Sequence, residues 1–187
     1  MINKDEIRKV NKEKRAQMTK EEVLEKSHRA SEAFLKSDLY KRSAQIMLYL
    51  PLGNELDVSE VLKRALGDKK TVLVPSTDPE RFEITPLKVE GESEFRKGTF
   101  SVLEPKVKIK GDIKKTDVVI VPGIAFDKSG ARVGFGKGCY DKLLGKSDAT
   151  FVGACFDFQI SSEIEIEKTD IKMDFLMTES GIFECSI

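Results

Sequence analysis

Residues 118–144 place an apolar run, a glycine-rich loop and a short amphipathic segment in direct succession. A strand, a loop and a helix in this order bring backbone N–H groups to a helix start, where the helix dipole favours an anion. Arg132 and Lys137 add two cations and Asp141 adds a carboxylate, a combination that favours a phosphate carrying a metal ion over a bare anion. The loop contains four glycines: Gly130, Gly134, Gly136 and Gly138.

The spacing of these glycines differs from that of two common phosphate loops. A Walker A loop requires glycine five residues before Gly136 and Ser or Thr after Lys137, where this chain has Ala131 and Gly138. The dinucleotide fingerprint G-x-G-x-x-G fails because its third glycine is replaced by Cys139. Alternating glycines let the backbone approach a ligand closely. A simple turn before a helix is the alternative, but the two nearby cations favour a ligand site.

The regions on either side predict an α/β fold. Residues 45–50 (QIMLYL) and 71–74 (TVLV) are short apolar runs that end before prolines, and residues 57–65 have helical periodicity. A strand, a helix and a strand form a βαβ unit, so these strands should be parallel. We predict a three-layer domain with a largely parallel central sheet flanked by helices and a small antiparallel appendage at 81–103. Glu55 follows the first strand, at the end where such sheets bind ligands.

The N-terminal region is predicted to be helical. Lys4 and Arg8 are four residues apart in the polar segment 2–16, so they share a helix face. From the residues alone a solvated basic face is favoured over a cationic arm that reaches a distant anion. Thr19 and Glu22 have the spacing of a capping box and predict the start of a second helix.

Composition argues against several classes of function. The 187 residues carry 32 basic and 32 acidic side chains, and this balance argues against bulk binding to nucleic acid or an anionic membrane. No apolar run approaches the roughly 20 residues of a membrane span. The three cysteines, Cys139, Cys155 and Cys185, have no metal-site spacing. We expect a single cytoplasmic domain over residues 1–187 that acts as a monomer.

Three segments closely resemble the signature of the 5-formyltetrahydrofolate cyclo-ligase (5,10-methenyltetrahydrofolate synthetase) family. They are residues 122–127 (PGIAFD), 130–138 (GARVGFGKG) and 140–141 (YD). The match is long and its letters are unusual, so it is specific. Other matching positions occur in the expected order along nearly the whole chain: Lys4, Arg8, Glu55, Glu104, Pro105, Asp170 and Asp174.

The resemblance implies a ring closure that uses ATP and Mg²⁺ and converts 5-formyltetrahydrofolate to 5,10-methenyltetrahydrofolate, ADP and phosphate. The formyl oxygen would attack the γ-phosphate, and a folate nitrogen would then attack the activated carbon as phosphate leaves. Phosphorylation turns a very poor leaving group into a good one. The protein's task is then positioning and charge neutralisation. The implied partners are small molecules: a reduced folate and ATP.

The resemblance also implies roles for individual residues. Lys137 and Arg132 would act on the transferring phosphate, and Asp141 and Asp174 would hold magnesium. The implied ATP site comprises Lys4, Arg8, Arg132, Gly134, Phe135, Gly136, Lys137, Gly138, Cys139, Tyr140 and Asp141. The implied folate site comprises Leu50, Glu55, Phe135 and Tyr140. On this interpretation Lys4 and Arg8 form a cationic arm, in contrast to the solvated face that the residues alone favour.

Cys139 departs from the family pattern, which often has a tyrosine there. The change removes a hydroxyl and an aromatic face from the folate site, and a helix start also favours a somewhat lower pKa for the thiol. Two alternatives remain. One is a folate- or nucleotide-binding protein without turnover, for which Cys139 is the only sequence support. The other is a phosphosugar isomerase, which rests on fold analogy and lacks an acid/base pair.

Overall fold

A computed structural model describes residues 3–90, 95–97 and 103–186. The main sheet of these residues is parallel in its centre and antiparallel at both edges. Its eight strands lie in the spatial order β13 (Gly181–Glu184), β12 (Phe175–Thr178), β10 (Thr150–Ala154), β7 (Val118–Pro122), β1 (Gln45–Met47), β2 (Thr71–Asp78), β3 (Glu83–Val89) and β6 (Ile109–Lys110). The strands from β12 to β2 are the parallel ones, which confirms the predicted largely parallel sheet.

Helices cover both faces of this sheet, as predicted. The helices of the described residues are α1 (Lys4–Gln17), α2 (Lys20–Lys36), α3 (Asp38–Arg42), α4 (Ser59–Gly67) and α5 (Cys139–Leu144). Side chains alternate between the faces of a strand. Ile46 of β1 therefore packs with Phe34 and Val61 of α2 and α4, whereas Met47 packs in a separate cluster with Leu143 of α5. The result is a three-layer α/β arrangement.

The capping box predicted for α2 is confirmed. The Thr19 hydroxyl accepts a hydrogen bond from the Glu22 N–H at 3.1 Å, and the Glu22 carboxylate accepts one from the Thr19 N–H at 2.8 Å. Two donors that have no partner within the helix are thereby satisfied, an arrangement that stabilises a helix by about 1 kcal/mol.

The antiparallel region at 81–103 is divided between two sheets. Strand β3 pairs antiparallel with β2 along its whole length, so it extends the main sheet. Strands β4 (Phe95–Lys97) and β5 (Leu103–Pro105) form a separate antiparallel pair. Residues 91–94 and 98–102 of the predicted appendage lie outside the described residues.

A third, small sheet anchors the N-terminal helix. It contains β8 (Ala125–Asp127), paired in parallel with β11 (Ile160–Ser161) and antiparallel with β9 (Arg132–Val133). Ile7 of α1 is buried in one cluster with Ala125 and Val133. This packing fixes the N-terminal half of α1 beside the glycine-rich loop.

Candidate functional site

A cavity of about 1160 Å³ opens at the carboxyl ends of the central strands. Tyr49 and Leu50 follow β1, Pro75 and Thr77 belong to β2, and Pro122 ends β7; all five line the cavity. Open α/β sheets bind ligands at this end. The remaining walls come from α1, the glycine-rich loop, α5 and residues 167–171.

A buried aspartate shapes the first half of the glycine-rich loop. The Asp127 carboxylate accepts hydrogen bonds from the N–H groups of Ser129, Ala131 and Ile164. Gly130 has φ +83°, and a Cβ atom there would overlap the carbonyl oxygen of Met173. Only glycine fits both the left-handed backbone and this close approach.

The second half of the loop leaves space for arginine side chains. A Cβ on Gly134 would lie 2.8 Å from a guanidinium nitrogen of Arg132, and one on Gly136 would lie 3.7 Å from Arg8. The exposed Phe135 between them lies under the ammonium of Lys12, which is 5.5 Å from the ring centroid. Gly134 therefore lets the Arg132 guanidinium pack directly against the loop, whereas a side chain at Gly136 would meet Arg8 at an ordinary contact distance.

Lys4 and Arg8 both reach the cavity. The Lys4 ammonium donates to the Asp170 carboxylate at 2.8 Å, and Arg8 Nε donates to the Gly134 carbonyl at 3.0 Å. Burial raises the pKa of Asp170, but hydrogen bonds from Lys4 and from the Glu167 N–H outweigh it, so the pKa lies below its ordinary value. The solvated-face interpretation is wrong, because both basic side chains are less than one quarter exposed.

Arg132 and Asp141 form the most buried charge pair of the loop. Arg132 Nη2 donates to Asp141 at 3.0 Å, and the other oxygen of Asp141 accepts from the Ile171 N–H at 3.2 Å. Among the described residues, the buried Nε of Arg132 has no hydrogen-bond partner. Lys137 differs, since its side chain is exposed and its ammonium lies 4.9 Å from the centroid of the Phe82 ring.

Asp174 does not reach the cavity. It precedes β12 at the amino end of the sheet, where its carboxylate accepts a hydrogen bond from the Phe151 N–H at 2.7 Å. The cavity lies at the opposite end of the strands. The geometry therefore gives no support to a metal site shared by Asp174 and Asp141, and the carboxylates from this region that line the cavity are Glu167 and Asp170.

Glu55 is a buried carboxylate in the cavity wall. Its side chain is 6% exposed, accepts from the Leu52 N–H at 3.0 Å and lies 3.8 Å from Arg15 Nη1. Burial raises the pKa of Glu55; the hydrogen bond from Leu52 and the charge of Arg15 oppose the rise without cancelling it. The site thus contains an acceptor whose ionisation depends on two neighbouring groups.

We predict that this carboxyl group makes stability fall with rising pH. Because its folded-state pKa is raised, the folded chain binds this proton more tightly than the unfolded chain. The resulting stabilisation is complete below the unfolded value near 4.5 and is lost as the pH rises through the folded value. Urea unfolding at several pH values should show Glu55→Gln gaining stability relative to the unmodified protein as the pH rises, by at most about 1.4 kcal/mol per pH unit. A pH-independent difference would contradict this.

The aromatic wall is formed by Tyr49 and Tyr140, with Cys139 beside them. Burial raises the pKa of both phenols, so they are neutral, and the Tyr49 hydroxyl donates to the Leu56 carbonyl. The lowered pKa expected for Cys139 is wrong, because burial raises the pKa of this thiol and outweighs the nearby cations. Cys139 is therefore a small half-buried wall residue.

The structure adds site residues that sequence reasoning missed. Arg15 lies beside Glu55, and Tyr49 lies in the cavity wall. Asp170, which the family resemblance matched but did not assign to the site, also lines the cavity, as part of residues 167–171. Arg15 could have been identified from the sequence, because it follows Arg8 by seven residues and therefore lies on the same face of α1. Residues 167–171 contain no regular secondary structure, and their position depends on packing that periodicity does not reveal.

Over the part of the chain that the structure describes, no helix combines the length and the apolar character that crossing a bilayer requires.

Known proteins provide an independent comparison. A family model described as the 5-formyltetrahydrofolate cyclo-ligase family matches residues 1–179. The 5-formyltetrahydrofolate cyclo-ligase of Escherichia coli K12 is 25% identical over 179 residues, which cover 92% of this chain and 98% of that protein. A probable 5-formyltetrahydrofolate cyclo-ligase of Caenorhabditis elegans is 24% identical over 190 residues, which cover 94% and 92% of the two chains.

Solved structures agree with these relatives. The NMR structure of Aquifex aeolicus 5,10-methenyltetrahydrofolate synthetase superposes with a TM-score of 0.86 and 29% identity, covering all of this chain and 94% of the other. A Mycoplasma pneumoniae 5,10-methenyltetrahydrofolate synthetase has the same fold, with a TM-score of 0.77 at 21% identity and coverage of 95% and 99%. The family model spans nearly the whole sequence, and this chain therefore belongs to the 5-formyltetrahydrofolate cyclo-ligase family.

Proposed function

We propose that this protein converts 5-formyltetrahydrofolate to 5,10-methenyltetrahydrofolate in a reaction that uses ATP and Mg²⁺ and releases ADP and phosphate. Family membership supports the reaction. One observation carries the assignment of residues: a single cavity is lined both by the cations of α1 and the glycine-rich loop and by the buried carboxylate Glu55. Its volume, about 1160 Å³, exceeds the roughly 300–1,000 Å³ of a pocket for one small ligand.

The nucleotide is assigned to the wall that contains α1 and residues 134–138. Lys4 and Arg8 would contact its phosphates, and the glycines would let backbone N–H groups approach them. Arg132 supports this assignment, because a buried donor without a partner is costly and a phosphate oxygen would satisfy it. Arg–phosphate pairs are among the stronger hydrogen bonds in proteins.

Lys137 is assigned to the transferring phosphoryl group. Its described contact is a cation–π interaction with Phe82, which at an exposed site contributes only about 0.5–1 kcal/mol. The side chain can therefore turn toward a bound phosphate at small cost. Its charge would stabilise the negative charge that develops when the formyl oxygen attacks the γ-phosphate and when phosphate later leaves.

Magnesium fits the carboxylates on the same wall. Asp141 and Asp170 both line the cavity, and Mg²⁺ in phosphate-binding sites usually takes one or two carboxylates together with phosphate oxygens and water. A bound ion would neutralise phosphate charge. Each Asp141 oxygen accepts one described hydrogen bond and retains capacity for a further interaction.

The folate is assigned to the wall that contains Glu55 and Tyr140. A carboxylate matches the adjacent N–H donors of the pterin ring, and Leu50, Phe135 and Tyr140 offer apolar surface beside it. On α1, Arg15 lies seven residues from Arg8 and eleven from Lys4, separations of about 10 and 16 Å. Glu55, which lies beside Arg15, is therefore about two to three helical turns from the proposed phosphate contacts on this helix, which leaves room for the second substrate.

The test is a turnover assay with purified protein, ATP, Mg²⁺ and 5-formyltetrahydrofolate. We expect the absorbance of the methenyl product to rise together with one ADP per product, and omission of ATP or Mg²⁺ to abolish the signal. Tight folate binding by calorimetry without ADP release would instead identify a binding protein without turnover. Circular dichroism of the same sample verifies that the protein is folded.

A further inference from the structure

The C-terminal end of α1 is attached to the turn that carries Glu55. The Asn54 side-chain amide donates to the carbonyl oxygens of Arg15 at 2.8 Å and Met18 at 3.1 Å. One residue further on, Arg15 Nη1 lies 3.8 Å from Glu55 Oε1. The helix end and the turn are thus joined in two ways, through the backbone carbonyls of Arg15 and Met18 and through the guanidinium of Arg15.

Arg15 is the cation paired with Glu55 among the described residues. The two side chains are 12% and 6% exposed, so their interaction is only weakly screened by solvent. The ionisable groups that face Glu55 from the cavity wall are the phenols of Tyr49 and Tyr140, which burial keeps neutral. Within the described ranges, the other group that favours the ionised carboxylate is the Leu52 N–H. Without Arg15, the buried charge would depend on that single hydrogen bond.

We propose that Arg15 is the positioning residue for Glu55: it keeps the carboxylate ionised and correctly placed to accept N–H donors of the folate. This role rests on the proposed function, because Glu55 is assigned there to the folate. Since α1 also carries Lys4 and Arg8, the same helix sets the position of the folate acceptor relative to the nucleotide phosphates. Arg15 itself is not required to touch either substrate.

The kinetic test compares Arg15→Met with Lys14→Met, which removes an exposed cation from the same helix turn. For Arg15→Met we expect KM for 5-formyltetrahydrofolate to rise about tenfold or more, and KM for ATP to change less than about twofold. The rise in the folate KM should be largest at the lowest pH at which the enzyme is active, because loss of Arg15 favours the protonated form of Glu55. Arg15→Lys should recover part of the folate KM, and Lys14→Met should leave both constants unchanged. Equal increases in both KM values, or no increase, would overturn the proposal.

A second measurement does not require turnover. In protein with ¹³C-labelled glutamate, NMR titration of the Glu55 carboxyl carbon should show a higher pKa in Arg15→Met than in the unmodified protein. If Arg15→Met does not fold, Arg15→Lys serves in its place, with a smaller shift in the same direction. An unchanged titration overturns the proposal even if the enzyme is active. If Arg15→Met shifts the Glu55 titration but the unmodified protein shows no turnover, the Arg15 contact is supported and the proposed function is refuted.

A double-mutant cycle completes the test. If Arg15 acts through Glu55, adding Arg15→Met to Glu55→Gln should change the folate KM by less than about twofold, because the carboxylate it positions is already absent. A further rise as large as in the single variant would show that Arg15 acts on the folate by another route, and would overturn the positioning role.

Discussion

Replacing Lys137 with alanine is expected to lower kcat about 10²- to 10³-fold while the thermal midpoint of unfolding stays within about 1 °C. The loss follows from the role proposed for the ammonium, which would stabilise charge on the phosphoryl group during its transfer and departure. The fold should survive because the Lys137 side chain is exposed and its described contact is with the Phe82 ring. Steady-state kinetics and differential scanning calorimetry on the same preparation provide both readouts.

The matched control for this variant is Lys128→Ala. Lys128 is an exposed lysine close to the same loop, but it does not line the cavity. Its removal should leave kcat unchanged, which separates the position of Lys137 from a general loss of positive charge. Unaltered kcat in Lys137→Ala would refute the assigned role. A rise in the KM for ATP with unchanged kcat would instead place Lys137 in ground-state nucleotide binding.

Replacing Gly130 with alanine is expected to destabilise the fold by about 3 kcal/mol or more, because two costs combine. The residue has φ +83°, where an L side chain is strained, and its Cβ would overlap the carbonyl oxygen of Met173. That segment cannot simply move away, because the Met173 N–H donates to the Gly130 carbonyl at 2.8 Å. For a domain of this size, such a loss lowers the thermal midpoint by roughly 6–12 °C.

Gly67→Ala is the matched control for the glycine variant. A Cβ there meets no atom within 4 Å, so the fold should tolerate the change. Scanning calorimetry of the two variants should show a large decrease in the thermal midpoint for Gly130→Ala only. Equal midpoints would mean that the loop and the Met173 segment adjust without cost, and the argument from close approach would be wrong.

Local patterns in the sequence predicted much of the fold. The spacing of Thr19 and Glu22 identified the start of α2, because a capping box depends only on residues within one helical turn. The apolar runs at 45–50 and 71–74 predicted parallel strands, and β1 and β2 do pair in parallel. The capping box is predictable because its hydrogen bonds join residues that are neighbours in sequence. The strands are predictable because buried strands appear as short, continuous apolar runs.

The same apolar pattern overestimated the length of β1. Residues 45–50 are nearly all buried, but strand pairing stops at Met47. Tyr49 and Leu50 are buried because they belong to the same core cluster as Ile46, and they also line the cavity without pairing with another strand. Hydrophobicity reports burial, and it does not distinguish burial inside a sheet from burial beneath a ligand site.

The candidate site was predictable where its residues are adjacent in sequence, and less so elsewhere. Asp170 and Asp174 both lie before the same strand, and the family resemblance assigned magnesium to Asp174, which does not line the cavity. The difference arises because Asp174 is held at the amino end of the sheet by Phe151, whereas Asp170 packs against Lys4 of α1. Such a choice depends on tertiary contacts that no local pattern encodes.

The contact between Lys4 and Asp170 joins residues 166 positions apart. A ribosome makes a chain from its N-terminus, so α1 leaves the exit tunnel long before its partner in the cavity wall is synthesised. Asp170 can reach Lys4 only after the 165 residues between them have been synthesised. A nascent chain that ends before residue 167 therefore lacks one wall of the cavity, so the cavity closes late in synthesis.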